Sequence, residues 1–133
     1  MYFVAAQRKL ADRDYRTLLQ FRTELRRFLR WSEEQAQSEG LTGAQHQLLL
    51  AVRGSDDEAG ATVGEVADAL LLRHHTASEL VDRAVGADLL RRERDPADHR
   101  VVRLRITRTG AGKLARLSRQ HLEELARLRA GIL

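Results

Sequence analysis

Arginine and histidine side chains are concentrated between residues 73 and 108, and they are the groups in this sequence best suited to chemistry. This segment carries nine arginines and six carboxylates, within a chain of 133 residues and net charge +4. The preceding residues 54–72 carry five acids and no base. Arginine offers a planar fork of N–H donors that matches phosphate oxygens and guanine edges. We therefore expect residues 73–108 to meet an anionic partner, namely nucleic acid, an acidic protein or an anionic membrane.

A chain-wide preference for arginine is an alternative explanation of that pattern, because Lys9 and Lys113 are the only lysines. Other chemistries lack the residues that they need. The sequence has no cysteine, which excludes disulfides, thiolate metal sites and thiol redox switches. It has no phosphate-binding glycine loop and no nucleophile elbow, and the adjacent His74 and His75 are too few ligands for a metal. We therefore expect no enzyme activity, no cofactor and no metal site.

Apolar stretches are too short for a membrane span, the longest near the middle being residues 69–72. Residues 1–6 are apolar, but Arg8 and Lys9 follow at once, so the layout of a signal peptide is missing. These patterns, together with the lack of cysteine, predict a cytoplasmic protein with no membrane partner.

Hydrophobic spacing and capping patterns predict the elements that position the charged segment. Residues 11–38 form a long predicted helix that Gly40 ends, with apolar residues at three- and four-residue steps. That stripe consists of Leu18, Phe21, Leu25, Phe28 and Leu29. Capping boxes that begin at Thr42 and Thr62 predict two more helices. A further helix at residues 76–85 follows after a three- or four-residue turn at residues 73–75, which is helix-turn-helix geometry.

A β-hairpin and a last helix complete the predicted fold. After Gly86 the apolar period changes to two, which predicts strands at residues 89–94 and 101–106. We call this hairpin, with its connecting residues 95–100, the wing. Thr107 is expected to cap a helix that runs to the end of the chain. The predicted fold class is mostly α with a small β-hairpin wing (α+β), a winged helix-turn-helix in a single domain of residues 1–133.

The two end helices, residues 11–38 and 107–133, predict a homodimer. The unit between them, residues 41–106, is too small to cover both apolar stripes, whereas a second copy of the chain would do so. The alternative is that both helices pack on their own domain alone. In a dimer, two recognition helices roughly 34 Å apart would meet successive major grooves of DNA. The expected target is then a palindrome.

One set of residues in the segment 41–113 has an order and spacing that is typical of a known family. These residues are Leu41-Thr42 with Gln45, the run from Glu65 to Leu70, the run from Leu80 to Arg83, the run from Leu90 to Arg100, and Leu104, Thr107 and Gly110. In this pattern the segment resembles the multiple-antibiotic-resistance regulator (MarR) family. The run from Leu90 to Arg100, which forms the wing, is the most specific part. The resemblance implies a transcriptional regulator, expected to be a repressor, that binds a palindromic double-stranded operator as a homodimer.

In that family the helix that begins near His74 enters the major groove. The resemblance therefore assigns DNA contacts to residues along this helix: His74, His75, Thr76, Ser78, Glu79 and Arg83. Donors at a helix N-terminus suit phosphates and base edges. For the two histidines the alternative is a solvated turn. Glu79 is expected either to accept from a cytosine amino group or to close a capping box with Thr76.

Asp98 and Arg100 of the wing match family residues that act together, the arginine in the minor groove and the aspartate orienting it. A narrow minor groove is strongly negative and attracts a guanidinium. The alternative is a surface ion pair of little energetic consequence. The other wing arginines are expected to contact phosphate or solvent rather than bases, and they are Arg91, Arg92, Arg94 and Arg103, of which Arg94 is assigned to the DNA-binding set.

Relatives in the family often bind small aromatic anions between the end helices and the DNA-binding unit. Phe28, Trp31 and His46 are candidates to line such a crevice, with ordinary core packing as the alternative. Three features depart from the family. Glu79 occupies a position where many relatives have a basic or neutral residue, Asp88 replaces a usual glycine, and the C-terminal helix is expected to be short, without a usual last helix. A winged-helix module that binds protein and not DNA is the alternative function, because a fold alone does not fix function.

Overall fold

The computed structural model describes residues 8–132, with the backbone alone at residues 131 and 132. The apolar start at residues 1–6 lies outside this range, as does the last residue of the predicted C-terminal helix. The elements are α1 (Asp12–Ser38), α2 (Gly43–Arg53), α3 (Val63–Leu70), α4 (His74–Gly86), β1 (Leu90–Arg94), β2 (Val102–Ile106) and α5 (Arg108–Ile132). The α+β winged helix-turn-helix architecture is therefore confirmed. Within the described range, none of the helices is both long enough and apolar enough to cross a membrane.

Capping boxes begin α2 and α3 where the sequence predicts them. The Gln45 amide donates to Thr42 Oγ1 over 3.0 Å, and the Thr42 amide donates to Gln45 Oε1 over 3.0 Å. Thr62 and Glu65 make the same reciprocal pair at the start of α3. Each pair satisfies two backbone groups that a helix end would otherwise leave free. Gly40 adopts a φ of 77°, which turns the chain sharply after α1.

The hydrophobic core lies where α2, α3, α4, the hairpin and the first half of α5 meet. Its largest fully buried side chains come from all of these elements, and they are Leu48, Leu49, Val66, Val81, Leu89, Leu90, Leu104 and Leu117. Burial of each such side chain contributes roughly 1.5–3 kcal/mol. The core therefore fixes the helix-turn-helix, the wing and the start of α5 as one body.

The turn between α3 and α4 is three residues long, which confirms the helix-turn-helix. Leu71 takes a left-handed conformation with φ 56°, and the Leu72 amide donates to the Ala67 carbonyl over 2.9 Å. Helix α4 begins at His74, so residues 74 and 75 are helical, not part of the break as predicted. Arg73 is the N-cap residue, and its carbonyl accepts from the Ala77 amide over 3.0 Å.

The predicted capping box between Thr76 and Glu79 is wrong. Because Arg73 already begins the helix through its backbone, Thr76 lies inside the first turn of α4 and caps nothing. Glu79 contacts His75 instead, at 3.1 Å between Oε1 and Nε2.

The hairpin pairs β1 and β2 antiparallel, with Leu90 opposite Ile106 and Arg92 opposite Leu104. Each strand begins one residue later than predicted. Asp88 takes the left-handed conformation, φ 59°, that a glycine usually supplies. Thr107 caps α5 as predicted, because its Oγ1 accepts from the Gly110 amide over 3.0 Å.

Candidate nucleic-acid interface

Helix α4 exposes one side along its length and buries the other. Ala77, Val81 and Ala84 lie in the core. The opposite side carries the side chains assigned to DNA from the sequence: His74, His75, Thr76, Glu79 and Arg83 are exposed, and Ser78 is half-buried. The exposed N-terminus carries the positive end of the helix dipole, which favours an anion. The structure therefore places all six residues on one helix, five of them free to reach a partner.

The wing tip presents Arg100 on a fixed carboxylate. Asp98 Oδ1 accepts from the Arg100 backbone amide and from Arg100 Nε, both over 3.1 Å, and Oδ2 accepts from Nη2 over 3.2 Å. These bonds lower the pKa of Asp98, those from the guanidinium most strongly. The Arg100 side chain remains 90% exposed. Asp98 thus holds the guanidinium in one orientation without covering it.

Asp95 holds the backbone of the wing turn. Its Oδ1 accepts from the amides of Ala97 and Asp98, over 2.7 and 3.0 Å. These two backbone donors, then Arg103, lower the pKa of Asp95. Arg94 Nη1 donates to the His99 carbonyl over 2.8 Å. One donor of Arg94 is therefore used inside the wing.

Arg103 does not lie at the surface, and the expectation that it contacts phosphate or solvent is wrong. Its side chain is 16% exposed and is paired with Asp57 and Asp95. The physical reason is that the acidic loop between α2 and α3 folds against the outer face of β2. Asp57 and Arg103 are 46 positions apart, so no local pattern in the sequence shows the contact.

Arg92 connects the wing to the exposed side of α4 through an ion pair with Asp82. Arg91 contacts Glu93 on its own strand, at 3.6 Å. The hairpin and α4 are therefore linked by side chains outside the core as well as through it.

A cavity of about 750 Å³ lies between α1, α2 and α5, away from the wing. Phe28 and His46, two of the three residues assigned to a ligand from the sequence, line it. Trp31 is not among the lining residues and packs on the His121 ring, with 4.8 Å between ring centroids. His121, which was not assigned to a ligand from the sequence, also lines the cavity.

His121 and His46 form a pair of rings 4.8 Å apart at this cavity. His121 Nδ1 lies 2.7 Å from the Leu117 carbonyl and must donate to it. The other ring nitrogen, Nε2, lies 2.7 Å from the Ser32 hydroxyl and in the neutral tautomer accepts from it. His46 Nδ1 is buried and finds no hydrogen-bond partner within residues 8–132. Burial, and then the charge of His121, lower the pKa of His46.

One feature of the sequence distinguishes His121: it is a polar residue within the apolar stripe of α5, where the neighbouring members of the stripe are leucines. For a metal, the described residues offer no cluster of three or more His, Asp or Glu side chains.

The chain is similar to known proteins in sequence and in fold. A sequence model described as the MarR family matches residues 39–101. A solved structure of AbsC, a MarR family transcriptional regulator from Streptomyces coelicolor, is 21% identical, with a TM-score of 0.76 over 96% of this chain and 85% of AbsC. A MarR family protein from Bacillus stearothermophilus is 24% identical, with a TM-score of 0.74 over 90% of this chain and 82% of the other.

A MepR–DNA complex from S. aureus is 18% identical, with a TM-score of 0.71 over 94% of this chain and 86% of MepR. At these identities the likeness shows the fold. The sequence matches no curated protein.

Proposed function

We propose that the protein binds double-stranded DNA sequence-specifically to regulate transcription, as a member of the MarR family, whose sequence model matches residues 39–101. We propose further that it acts as a repressor, as a homodimer on a palindromic operator. Helix α4 would read the major groove, and the wing would read the adjacent minor groove.

The observation that carries this proposal is the geometry of Arg100. A guanidinium that is 90% exposed gains little from a surface ion pair alone. Here two side-chain contacts and a backbone contact with Asp98 set its direction at the tip of a hairpin. Such a preformed cation matches the negative potential of a narrow minor groove.

Helix α4 supports the same function through its exposed polar side. Thr76, His74 and Arg83 supply donors to phosphates and base edges. His75 and Glu79 contact each other, so Glu79 is available to a cytosine amino group only if DNA displaces His75. We propose that these residues determine which bases are preferred.

The exposed apolar side chains of α1 and α5 support the homodimer. In the described part of the chain the large ones on these two helices are Tyr15, Leu18, Leu19, Phe21, Leu25, Leu29, Leu122 and Leu125. Monomers rarely expose so many contiguous apolar groups. A second copy would cover them and place two α4 helices on successive grooves.

The cavity between α1, α2 and α5 supports release by a ligand. It joins the proposed dimer helices to the helix-turn-helix, so an occupant would favour one spacing of the two α4 helices over another. Its apolar wall and its two histidines suit a small aromatic or anionic molecule. The residues we propose for binding are Phe28, His46 and His121, with Trp31 packed behind them.

The test is the affinity of Arg100→Ala for a duplex that the native protein binds. We expect the substitution to weaken binding by about 1–3 kcal/mol, which is roughly five- to 150-fold. The matched control is Arg30→Ala, which removes the same charge from the side of α1 opposite its apolar stripe and should leave affinity nearly unchanged.

Salt dependence distinguishes DNA binding from a protein-interaction module. Binding through phosphates should weaken with salt by a log–log slope of about −0.9 for each phosphate contacted. A folded protein with no affinity for duplex DNA at low salt would contradict the proposal.

A further inference from the structure

We infer that Arg103 is a positioning residue for the wing, holding its base against Asp57 so that Arg100 is presented in one orientation. The inference rests on the DNA binding proposed above. It adds a role for the acidic loop between α2 and α3, which lies outside the residues assigned to DNA.

Three hydrogen bonds fix Arg103. Its Nε donates to Asp95 Oδ2 over 3.0 Å, and its Nη1 donates to Asp57 Oδ2 over 2.8 Å and to the Gly60 carbonyl over 3.1 Å. Bonds of this kind between ionised groups are the strong ones in proteins. The loop and the wing base are therefore joined by one side chain.

The contacts continue from Arg103 to the wing tip. Asp95, held by Arg103 through one oxygen, uses the other to accept from the amides of Ala97 and Asp98. Asp98 in turn accepts from Arg100. Asp57, Arg103, Asp95, Asp98 and Arg100 thus form one continuous chain of hydrogen bonds, and Arg100 is its most exposed side chain.

Hydrogen bonds also fix the other end of this series of contacts, in the loop between α2 and α3. Asp57 Oδ1 accepts from the Ala59 amide over 3.0 Å, and the Leu104 amide of β2 donates to the Ala61 carbonyl over 2.8 Å. Gly60 adopts φ 107°, which brings its carbonyl to Arg103, and an added Cβ there would meet the Arg105 guanidinium. A displaced loop would therefore move β2 and the wing with it.

Charge argues that Arg103 does not itself bind phosphate. Arg103 carries one positive charge and is paired with two carboxylates, those of Asp57 and Asp95. A third carboxylate, that of Glu65, has its Oε1 at 3.9 Å from Arg103 Nη1. The cluster is net negative and would repel a DNA backbone. An effect of Arg103 on DNA binding is therefore expected to act through the position of the wing, whose most exposed arginine in this network is Arg100.

The decisive variant is Asp57→Asn, because the two explanations predict opposite signs. Loss of a negative charge alone should strengthen binding to DNA. Loss of the contact with Arg103 should weaken it, by about fivefold if one hydrogen bond is lost. The matched control is Asp56→Asn, an exposed acid of the same loop, whose substitution should leave affinity equal or slightly higher.

A double-mutant cycle of Arg103→Gln with Arg100→Ala completes the test. We expect Arg103→Gln to weaken binding in the native background and to have little further effect once Arg100 is absent. Arg103→Lys should restore part of the affinity, and it keeps the charge should Arg103→Gln fail to fold. If Arg100→Ala weakens binding while Asp57→Asn does not, or if the two arginine effects add, this inference alone is overturned. If Arg100→Ala has no effect, the proposed role of the wing fails as well.

Discussion

His46 is the residue whose ionisation should most affect stability. It is 3% exposed, its Nδ1 is unpaired within the described range, and the second histidine ring lies 4.8 Å away. Burial opposes a charge at this position, so the pKa of His46 is lower in the folded protein than in the unfolded chain. The unfolded chain therefore takes up a proton at a higher pH than the folded protein does.

The sign of the resulting pH dependence follows from this difference. Stability should be complete above about pH 6.5, the ordinary pKa of histidine, and should fall as the pH drops below it toward the lowered value. We expect His46→Leu to flatten this decline, measured by thermal unfolding at several pH values between about 7.5 and 5.5. His99→Gln, at an exposed position of the wing, is the control and should keep the native slope. Equal slopes for the native protein and His46→Leu would contradict the assignment.

Single residues were predictable from the sequence where their role depends on near neighbours. Asp98 and Arg100 contact each other as the wing pattern implies, and both lie in one turn. Arg103 was misjudged because its partner Asp57 is 46 positions away in the sequence, and the contact between His121 and Ser32 spans 89 positions. Tertiary packing alone brings such pairs together.

At the scale of elements, the junction of the wing with α5 depends on Gly110. A Cβ there would meet the Leu89 carbonyl and would lie 3.1 Å from Ile106 Cγ2, so a side chain must displace α5 or the start of the hairpin. We expect Gly110→Ala to lower the free energy of unfolding by about 1–3 kcal/mol. Urea denaturation measures this directly.

Gly86→Ala is the matched control for that substitution. Gly86 ends α4 at an exposed position, and the space for a Cβ there holds no described atom within 4 Å. Alanine forms helix better than glycine, so this variant should gain up to about 1 kcal/mol. If both substitutions changed the free energy of unfolding equally, close packing at Gly110 would not explain the loss of stability in Gly110→Ala.

Elements were predicted well where local chemistry specifies them. Thr42, Thr62 and Thr107 mark the starts of α2, α3 and α5, because a threonine hydroxyl satisfies a free amide there. The start of α4 was misplaced because Arg73 caps it with no side-chain hydrogen bond. A cap made by the backbone alone leaves no residue type to recognise.

At the scale of the whole molecule, the apolar face of α1 should hold two copies together. We expect Phe21→Lys to yield a monomer in sedimentation velocity, because a charge would be buried in the interface. Its affinity for DNA should also fall, since a monomer reaches one half-site only. Gln20→Lys adds the same charge on the opposite side of the helix and should remain dimeric. A dimeric Phe21→Lys would place the interface elsewhere.

The features hardest to predict from the sequence were those that several helices, or two copies of the chain, form together. The apolar stripes of α1 and α5 indicate that something covers them, and the structure leaves those faces exposed in the single chain. The cavity with its histidine pair arises where α1, α2 and α5 converge, and no single segment contains it. The helix-turn-helix and the wing were easier to predict, because they are continuous in sequence.

The central claim is sequence-specific DNA binding, and selection from random duplex DNA followed by sequencing tests it most directly. The account predicts enrichment of a palindrome with half-sites about one helical turn apart, roughly 10 base pairs between centres. Arg100→Ala, selected in parallel, should enrich the same palindrome more weakly. A folded, dimeric protein that enriches no sequence would contradict the account.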